Sequence, residues 1–270
     1  MDKPVKMVVC DLDGTLLYNT KKITERTKKA IRAIRRQGIL FGVCSGRSAV
    51  ALQTMLKVWG IDKDVDFVLG FNGGMFWDPK TGKTEEWLKL DQNTIPFMEQ
   101  SFPKGKFTFA EYKGKAIRAT RKNPVTAQMG RRNRLNFEKV KPEDLHEDTL
   151  KYMAVGRPWR VSRYLKENQG KPRHWRMFRS GPFLIEMVHP SLSTLAGIEK
   201  VAAGLGISND EILTFGNDNN DREMLEGCVG VAMGNALEDI KKAARYVTDT
   251  NRNDGVDKFL EEHVIGKQNA

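Results

Sequence analysis

The chain has 270 residues, 40% of them hydrophobic and 29% charged, a composition typical of a globular protein and not of a disordered one. The length favours two domains. No apolar run approaches the roughly 18 residues that a membrane-spanning helix needs, which argues against a transmembrane protein. The formal net charge is +11, and the whole excess lies in residues 78–189, which contain 24 Lys and Arg against 13 Asp and Glu.

The first third of the chain alternates predicted strands and helices. Short apolar runs at 5–10, 39–44 and 67–69 predict buried strands. Helices are predicted over 24–37 and 48–60, because each segment opens with a Thr or Ser suited to capping and closes at a glycine. This order is typical of an α/β domain.

The last third resumes the same alternation. Strands are predicted at 211–215 and 229–232, and helices at 195–204, 222–225 and 237–244. Strands that alternate with helices of this length predict parallel pairing with right-handed crossovers. We therefore expect the two ends of the chain to share one parallel sheet.

The middle of the chain departs from this pattern. Turn residues recur every ten to fifteen positions, and short β-rich runs such as 106–109 lie between them. We therefore predict an α+β domain at 78–189, inserted into a Rossmann-like α/β core formed by 1–77 and 190–270.

The three cysteines are too few for a disulfide framework. Cys10 and Cys44 lie inside predicted strands, where we expect them to be small buried hydrophobic residues. The N-terminal residues run directly into a strand-like stretch and show no secretory signal. Together these features predict a protein of the reducing cytoplasm.

Asp11 and Asp13 lie where the first predicted strand ends, ahead of Gly14 and Thr15. In open α/β sheets, ligands bind at the carboxyl ends of the strands. Two carboxylates at this spacing, with a backbone carbonyl nearby, can hold a hard cation such as Mg²⁺. One carboxylate can also attack phosphorus while its neighbour transfers a proton. A solvated turn explains the same residues equally well, so this motif alone does not distinguish a catalytic site from a turn.

Two further polar segments follow predicted strands. Ser45 and Gly46 offer a hydroxyl and backbone N–H groups suited to a phosphate, although an ordinary strand-to-helix turn has the same composition. Residues 216–221 (GNDNND) form a dense polar cluster after a third strand. Carboxylates packed this closely repel each other unless they bind a cation or another ligand. The alternative is that the segment is a polar turn with helix caps.

The spacing of these motifs resembles that of haloacid-dehalogenase-superfamily phosphatases of the Cof type, and the match covers both core segments. The matching segments are DLDGTLL at 11–17, Ser45-Gly46-Arg47, Asn72-Gly73-Gly74, GNDNNDREML at 216–225, VAMGNA at 231–236, Lys241, and NDGV at 253–256. The fourth of these resembles the family's GDxxNDxxML motif. The inserted domain matches the family cap only in position and approximate length.

The resemblance implies roles for individual residues. Asp11 would be the nucleophile, and Asp13 the general acid and base. Ser45, Gly46 and Asn220 would bind the phosphate. Mg²⁺ would be held by the Asp11 carboxylate, the Asp13 backbone carbonyl and the acidic motif, in which the candidate ligands are Asn217, Asp218 and Asp221.

The sequence departs from the family pattern at two positions. Asn217 stands where the family has its first metal-binding Asp, so the site has one negative charge fewer. Thr194 stands where the family has its phosphate-binding Lys. Lys200 is six residues further along a predicted helix, about 240° around the axis, and is a poor substitute.

The basic clusters of the inserted domain lie at 131–134 and 157–179, where Trp159 and Trp175 are interleaved with arginines. Such patches occur on nucleic-acid-binding surfaces, but they equally suit a lid over a phosphorylated small molecule or a solvated face. No nucleic-acid-binding motif accompanies them, which disfavours that partner.

Three functional hypotheses follow. The leading one is a Mg²⁺-dependent phosphatase that acts on a small phosphorylated metabolite, such as a sugar phosphate, through an aspartyl-phosphate. The alternative is a catalytically weak or inactive relative that binds a phosphorylated ligand. A nucleic-acid-associated protein is the third. The sequence names neither the substrate nor the oligomeric state.

Overall fold

The computed structural model describes residues 3–18 and 22–266, and of Ala49 the backbone alone. The described residues form two compact units. Unit 1 comprises the chain up to residue 85 and from residue 193 onward, and unit 2 comprises residues 86–192.

The described part of the chain contains strands and helices as follows. The strands are β1 (Met7–Asp11), β2 (Leu40–Cys44), β3 (Phe67–Gly70), β4 (Met75–Trp77), β5 (Thr84–Glu86), β6 (Thr108–Lys113), β7 (Ala116–Ala119), β8 (Asn136–Lys139), β9 (Tyr152–Val155), β10 (Arg176–Arg179), β11 (Leu184–Val188), β12 (Ile212–Gly216), β13 (Val229–Ala232) and β14 (Tyr246–Val247). The helices are α1 (Glu25–Arg36), α2 (Ala49–Trp59), α3 (Ile95–Ser101), α4 (Pro124–Asn133), α5 (Pro158–Glu167), α6 (Thr194–Leu205), α7 (Arg222–Gly227), α8 (Glu238–Ala243) and α9 (Gly255–Leu260).

Unit 1 is built on an eight-stranded sheet in the order β14-β13-β12-β1-β2-β3-β4-β5. Strand β1 is fully buried, and it pairs in parallel with β12 on one side and β2 on the other. Parallel pairing continues outward to β14 and to β3, which confirms the predicted parallel sheet. Strand β4 runs antiparallel to β3, because the short connection between them has no room for a crossover helix.

The predicted helix ends of the first third are confirmed by their capping bonds. Thr24 Oγ1 accepts a hydrogen bond from the backbone N–H of Thr27 at the start of α1. Ser48 Oγ does the same for Ala51 at the start of α2, which ends at Gly60 in the left-handed conformation. Such caps satisfy backbone donors that the helix itself leaves unpaired.

Unit 2 is an α+β unit, as the sequence predicts. Its six-stranded sheet has the order β10-β11-β9-β6-β7-β8, and the pairing is antiparallel except between β7 and β8. Ile95 and Met98 of α3 and Val161 and Tyr164 of α5 belong to the same buried cluster as Tyr152 of the sheet. This unit therefore has a hydrophobic core of its own.

Cys10 and Cys44 are buried and free, as expected from their positions in strands. Within the two described segments, no helix is both long enough and apolar enough to cross a membrane.

Asp257 of α9 is a buried carboxyl group with few partners. Its Oδ1 accepts a hydrogen bond of 3.0 Å from the Thr27 hydroxyl, and its Oδ2 lies 3.3 Å from Arg26 Nε without forming a hydrogen bond. Burial raises the pKa of Asp257 to about 6, because Thr27 and Arg26 offset only part of the desolvation.

A raised pKa in the folded protein means that folding favours the protonated carboxyl. The contribution of Asp257 to stability is therefore present below its ordinary pKa near 4 and is lost as the pH rises through about 6. Asp257→Asn removes this dependence, so its free energy of unfolding relative to wild type should rise by about 2 kcal/mol between pH 4 and pH 7. Urea unfolding at both pH values measures the difference. The exposed Asp239→Asn is the control, and a difference for Asp257→Asn that stays constant with pH contradicts the prediction.

Candidate active site

Three predicted polar segments meet at one edge of the unit 1 sheet. Asp11 ends β1, Ser45 follows β2, and Asn217 follows β12. The register aligns Asp11 with Cys44 and Cys10 with Phe215, so the three strands end at nearly the same level. Because these strands are parallel neighbours, their carboxyl ends bring these residues to a common edge.

Asp11 and Asp221 are both buried, with 8% and 1% of their surfaces exposed. Burial raises the pKa of Asp11 well above its ordinary range, and repulsion from Asp221 raises it further. Burial also raises the pKa of Asp221 to about 6, although backbone N–H groups from Asp218 and Asn217 stabilise its charged form. The site therefore holds two carboxyl groups whose ionisation is costly unless positive charge is close.

Asp221 organises the loop that follows β12. Its Oδ2 accepts hydrogen bonds from the backbone N–H groups of Asn217 (2.8 Å) and Asp218 (3.1 Å), and its Oδ1 accepts one of 2.9 Å from Asn220 Nδ2. A Cβ atom on Gly216 would lie 2.5 Å from Asp221 Cβ, so only glycine permits this approach. Asp218, by contrast, is exposed and caps the short turn that follows it.

Asn217 is held between two loops. Its Oδ1 accepts a hydrogen bond of 2.9 Å from the Thr15 hydroxyl. Gly14 has φ +92°, and a Cβ there would lie 2.7 Å from Asn217 Nδ2. Asn235 Nδ2 donates to the Gly14 carbonyl over 2.8 Å, which ties the same turn to the loop after β13. The loops after β1, β12 and β13 are thus connected around Asn217.

Arg47 is a site residue to which the sequence analysis gave no role. Its Nε and Nη2 both donate to Asp13 Oδ2, at 3.2 and 2.5 Å. The Arg47 side chain is 15% exposed, and the Asp13 side chain is 50% exposed. Arg47 follows Ser45 by two residues after the end of β2. This position after a strand is the sequence feature that could have predicted Arg47 as a site residue.

The predicted phosphate-binding residues differ in exposure. Ser45 is buried, and its hydroxyl accepts a hydrogen bond of 3.3 Å from the Arg47 backbone N–H. Gly46 is partly buried, and Asn220 is exposed on the loop that Asp221 organises. Their roles as ligands of a phosphate remain predictions.

Thr194 is buried at the first turn of α6. The chain is close-packed there: a Cβ on Gly73 would lie 2.3 Å from the Ser193 carbonyl oxygen. Lys200 is exposed further along the same helix. Among the described residues, Arg47 forms an ion pair with Asp13.

The donor atoms at this edge are suited to a hard cation. Among residues 3–18 and 22–266, no group of three or more His, Cys, Asp and Glu side chains is arranged to hold a metal. The available donors are instead the carboxylates of Asp11 and Asp221, the Asn217 amide oxygen and backbone carbonyls. These are oxygen donors of the kind that Mg²⁺ prefers, and a cation would offset the cost of ionising two buried carboxyl groups.

Near pH 4, where the Asp221 carboxyl group with its raised pKa of about 6 is uncharged in the folded protein, Asp221→Ala should destabilise the protein, since it leaves the N–H groups of Asn217 and Asp218 without their acceptor. We expect a loss of about 2 kcal/mol in the free energy of unfolding, the usual cost of such unpaired donors. Chemical denaturation measures it. The matched control is Asp218→Ala, an exposed carboxylate of the same loop, for which we expect a clearly smaller loss; equal losses would contradict the role given to Asp221.

The model of the haloacid dehalogenase-like hydrolase family matches residues 8–260 of this chain. YxeH of Bacillus subtilis is 27% identical over 271 residues, covering 97% of this chain and 99% of that protein. The 5-amino-6-(5-phospho-D-ribitylamino)uracil phosphatase YcsE of Bacillus subtilis is 27% identical over 266 residues, covering 98% of each chain. A haloacid dehalogenase-like hydrolase structure from Bacteroides thetaiotaomicron has a TM-score of 0.83 and 26% identity, covering 96% of this chain and 99% of that one. The chain therefore belongs to the haloacid dehalogenase-like hydrolase family, among its Cof-type phosphatases.

Proposed function

We propose that this phosphatase hydrolyses a small phosphomonoester, such as a sugar phosphate, with Asp11 as nucleophile and Mg²⁺ as cofactor. The observation that carries the proposal is the buried Asp11 carboxyl group at the end of the central strand, with Asp13 two residues away and held by Arg47. A buried carboxylate has little bound water to lose before it attacks phosphorus, and this property suits a nucleophile.

In the first step, a carboxylate oxygen of Asp11 forms a bond to phosphorus, and the bond from phosphorus to the leaving oxygen breaks. The Asp13 carboxylic acid gives its proton to that oxygen, which departs as an alcohol. Arg47 fixes the orientation of the Asp13 carboxyl through two donors on one oxygen. The product of this step is an aspartyl-phosphate at Asp11.

In the second step, Asp13 accepts a proton from water, and the water oxygen attacks phosphorus. The bond between Asp11 and phosphorus breaks, which releases inorganic phosphate and regenerates both carboxyl groups. Ser45, Gly46 and Asn220 are the residues that we propose to orient the phosphate oxygens in both steps, because positioning and charge neutralisation dominate phosphoryl transfer.

The cation would neutralise the negative charge that Asp11 and the phosphoryl oxygens bring together. We propose that Asp11, the Asp13 carbonyl and Asn217 hold it. Asp218 and Asp221 are further candidates, but the oxygens of Asp221 already accept three hydrogen bonds from the loop.

The domain at 78–189 is proposed to act as a cap that selects the substrate. Its basic surface suits a phosphorylated small molecule, and the named substrate of YcsE is of that chemical class. We place the reaction in the cytoplasm, because the three cysteines are free. Neither a membrane nor a nucleic acid is part of the proposal.

Asp11→Asn should abolish Mg²⁺-dependent release of phosphate, because an amide is a poor nucleophile and a weaker metal ligand. We expect turnover to fall by roughly 10³-fold or more. The assay is a panel of sugar phosphates, nucleotides and cofactor phosphates, with and without Mg²⁺. Thermal unfolding shows whether the variant is folded, and a folded variant with near wild-type turnover would refute the aspartyl-phosphate mechanism.

Asn217→Asp should lower the Mg²⁺ concentration needed for half-maximal activity by about tenfold, the scale typical for adjusting a metal site. The new carboxylate restores one negative charge and keeps an acceptor for Thr15. Asn219→Asp is the matched control, because it adds the same charge to an exposed position of the same loop.

An equal shift in both Asn variants would mean that general electrostatics, and not coordination by residue 217, sets the Mg²⁺ requirement. If the wild type is silent on the whole panel and Asn217→Asp does not activate it, the ligand-binding alternative becomes the better interpretation. The buried Thr194 favours that alternative as well, since no Lys lies at this position.

A further inference from the structure

Unit 2 contains a cavity of about 620 Å³ next to the C-terminal end of α5. Leu165, Trp175 and Met177 form its apolar wall, and all three pack against the hydrophobic core of unit 2. This wall is therefore anchored by the fold, and a ligand would meet a surface that already has a defined shape.

Trp175 contributes an unsatisfied donor. Its indole Nε1 is buried and has no hydrogen-bond partner among the described residues. Leaving such a donor unpaired costs about 1–3 kcal/mol. Because this nitrogen is itself inaccessible, a ligand in the cavity would contact the face of the Trp175 ring and would alter the surroundings of the unpaired N–H.

The remaining charged lining is entirely basic. Lys166, Lys171 and Arg173 line the cavity, and no Asp or Glu is among its described lining residues. Arg173 is fixed in place, since it donates to the backbone carbonyl (2.9 Å) and to Oδ1 (2.6 Å) of Asn168. A guanidinium has five N–H donors, so three remain for a ligand.

We propose that this cavity binds a small organic anion in which a phosphoryl-type group is joined to a flat apolar part. Three cations favour a group with two negative charges over a carboxylate with one, and arginine matches phosphoryl oxygens in geometry. The apolar part would contact the wall of Leu165, Trp175 and Met177. The proposal does not rest on the phosphatase function.

The probe is phenylphosphonate, which has no phosphate ester to hydrolyse, added to the full-length protein without divalent cations. The chain has five tryptophans, so its nitrogen-15 spectrum should contain five indole N–H signals, and Trp175→Phe identifies the one from Trp175. We expect this signal to move and to saturate as the probe is added. A Trp175 signal that does not move overturns the proposal.

The cavity charges are tested by Lys166→Gln combined with Lys171→Gln, which should weaken binding by at least about tenfold. Arg163→Gln is the matched control, because Arg163 is an exposed arginine of α5 outside the cavity, and we expect an unchanged affinity. Both lysines are exposed. Lys171 also donates to Asn168 Oδ1, which accepts from Arg173, so Lys166→Gln alone is measured as well, as the change that leaves the contacts of Asn168 in place.

Two further ligands test the contributions of the ring and of the phosphonate group separately. Methylphosphonate lacks the ring, and benzoate carries one negative charge, so each should bind more weakly than phenylphosphonate. Affinity that is unaffected by the lysine replacements, or equal for benzoate and phenylphosphonate, contradicts a site for a dianion. If Arg163→Gln weakens the binding of phenylphosphonate as much as the lysine replacements do, general surface charge explains the binding and the proposal is wrong.

Discussion

Two carboxyl groups, Asp11 and Asp221, are buried where neighbouring parallel strands end, and the cost of removing them from water is the constraint on which the surrounding structure depends. Removing a carboxylate from water costs several kcal/mol unless other groups stabilise its charge. For Asp221, the loop itself provides this stabilisation through the N–H groups of Asn217 and Asp218. For Asp11, Arg47 and the backbone N–H of Leu12 offset only part of the cost, because its pKa remains well above the ordinary range.

The remaining cost at Asp11 connects the fold to the proposed chemistry. A nucleophilic carboxyl group must be ionised to attack phosphorus, so the site works best when positive charge is present with the substrate. Gly14, Thr15 and Asn235 keep Asn217 in place, and Asn217 brings an uncharged amide to this edge of the sheet where an aspartate would bring a negative charge. Fewer negative charges mean weaker attraction for a cation, which is why Asn217 is central to the proposed Mg²⁺ requirement.

Unit 2 also contains a charged side chain that hydrogen bonds hold in place. Arg173 donates two hydrogen bonds to Asn168, the residue that follows α5, and these bonds fix the Arg173 guanidinium in the lining of a cavity. The aromatic ring of Trp175 belongs to the wall of that cavity, but its indole nitrogen lacks a partner. The apolar wall and the basic lining together distinguish this cavity from an ordinary basic surface.

The order of the core elements followed from sequence patterns. Buried runs such as 39–44, and capping residues such as Thr24 and Ser48, act over a few neighbouring positions, so their structural effect is largely local. The antiparallel strand β4 was not predicted, because its direction depends on the turn at Phe71–Gly73 and on pairing with β3.

The sequence by itself determined the α/β class, the inserted α+β segment, and which polar segments follow strands. It did so because side-chain periodicity and turn chemistry depend on residues that are close in the chain. Only the tertiary structure decided that Arg47 contacts Asp13, that Thr15 holds Asn217, and that Trp175 lacks an acceptor. Thr15 and Asn217 are 202 positions apart, and sheet register and loop packing bring them together. Desolvation likewise depends on every neighbour in space, so the raised pKa of Asp11 cannot be derived from the residues beside it in the chain.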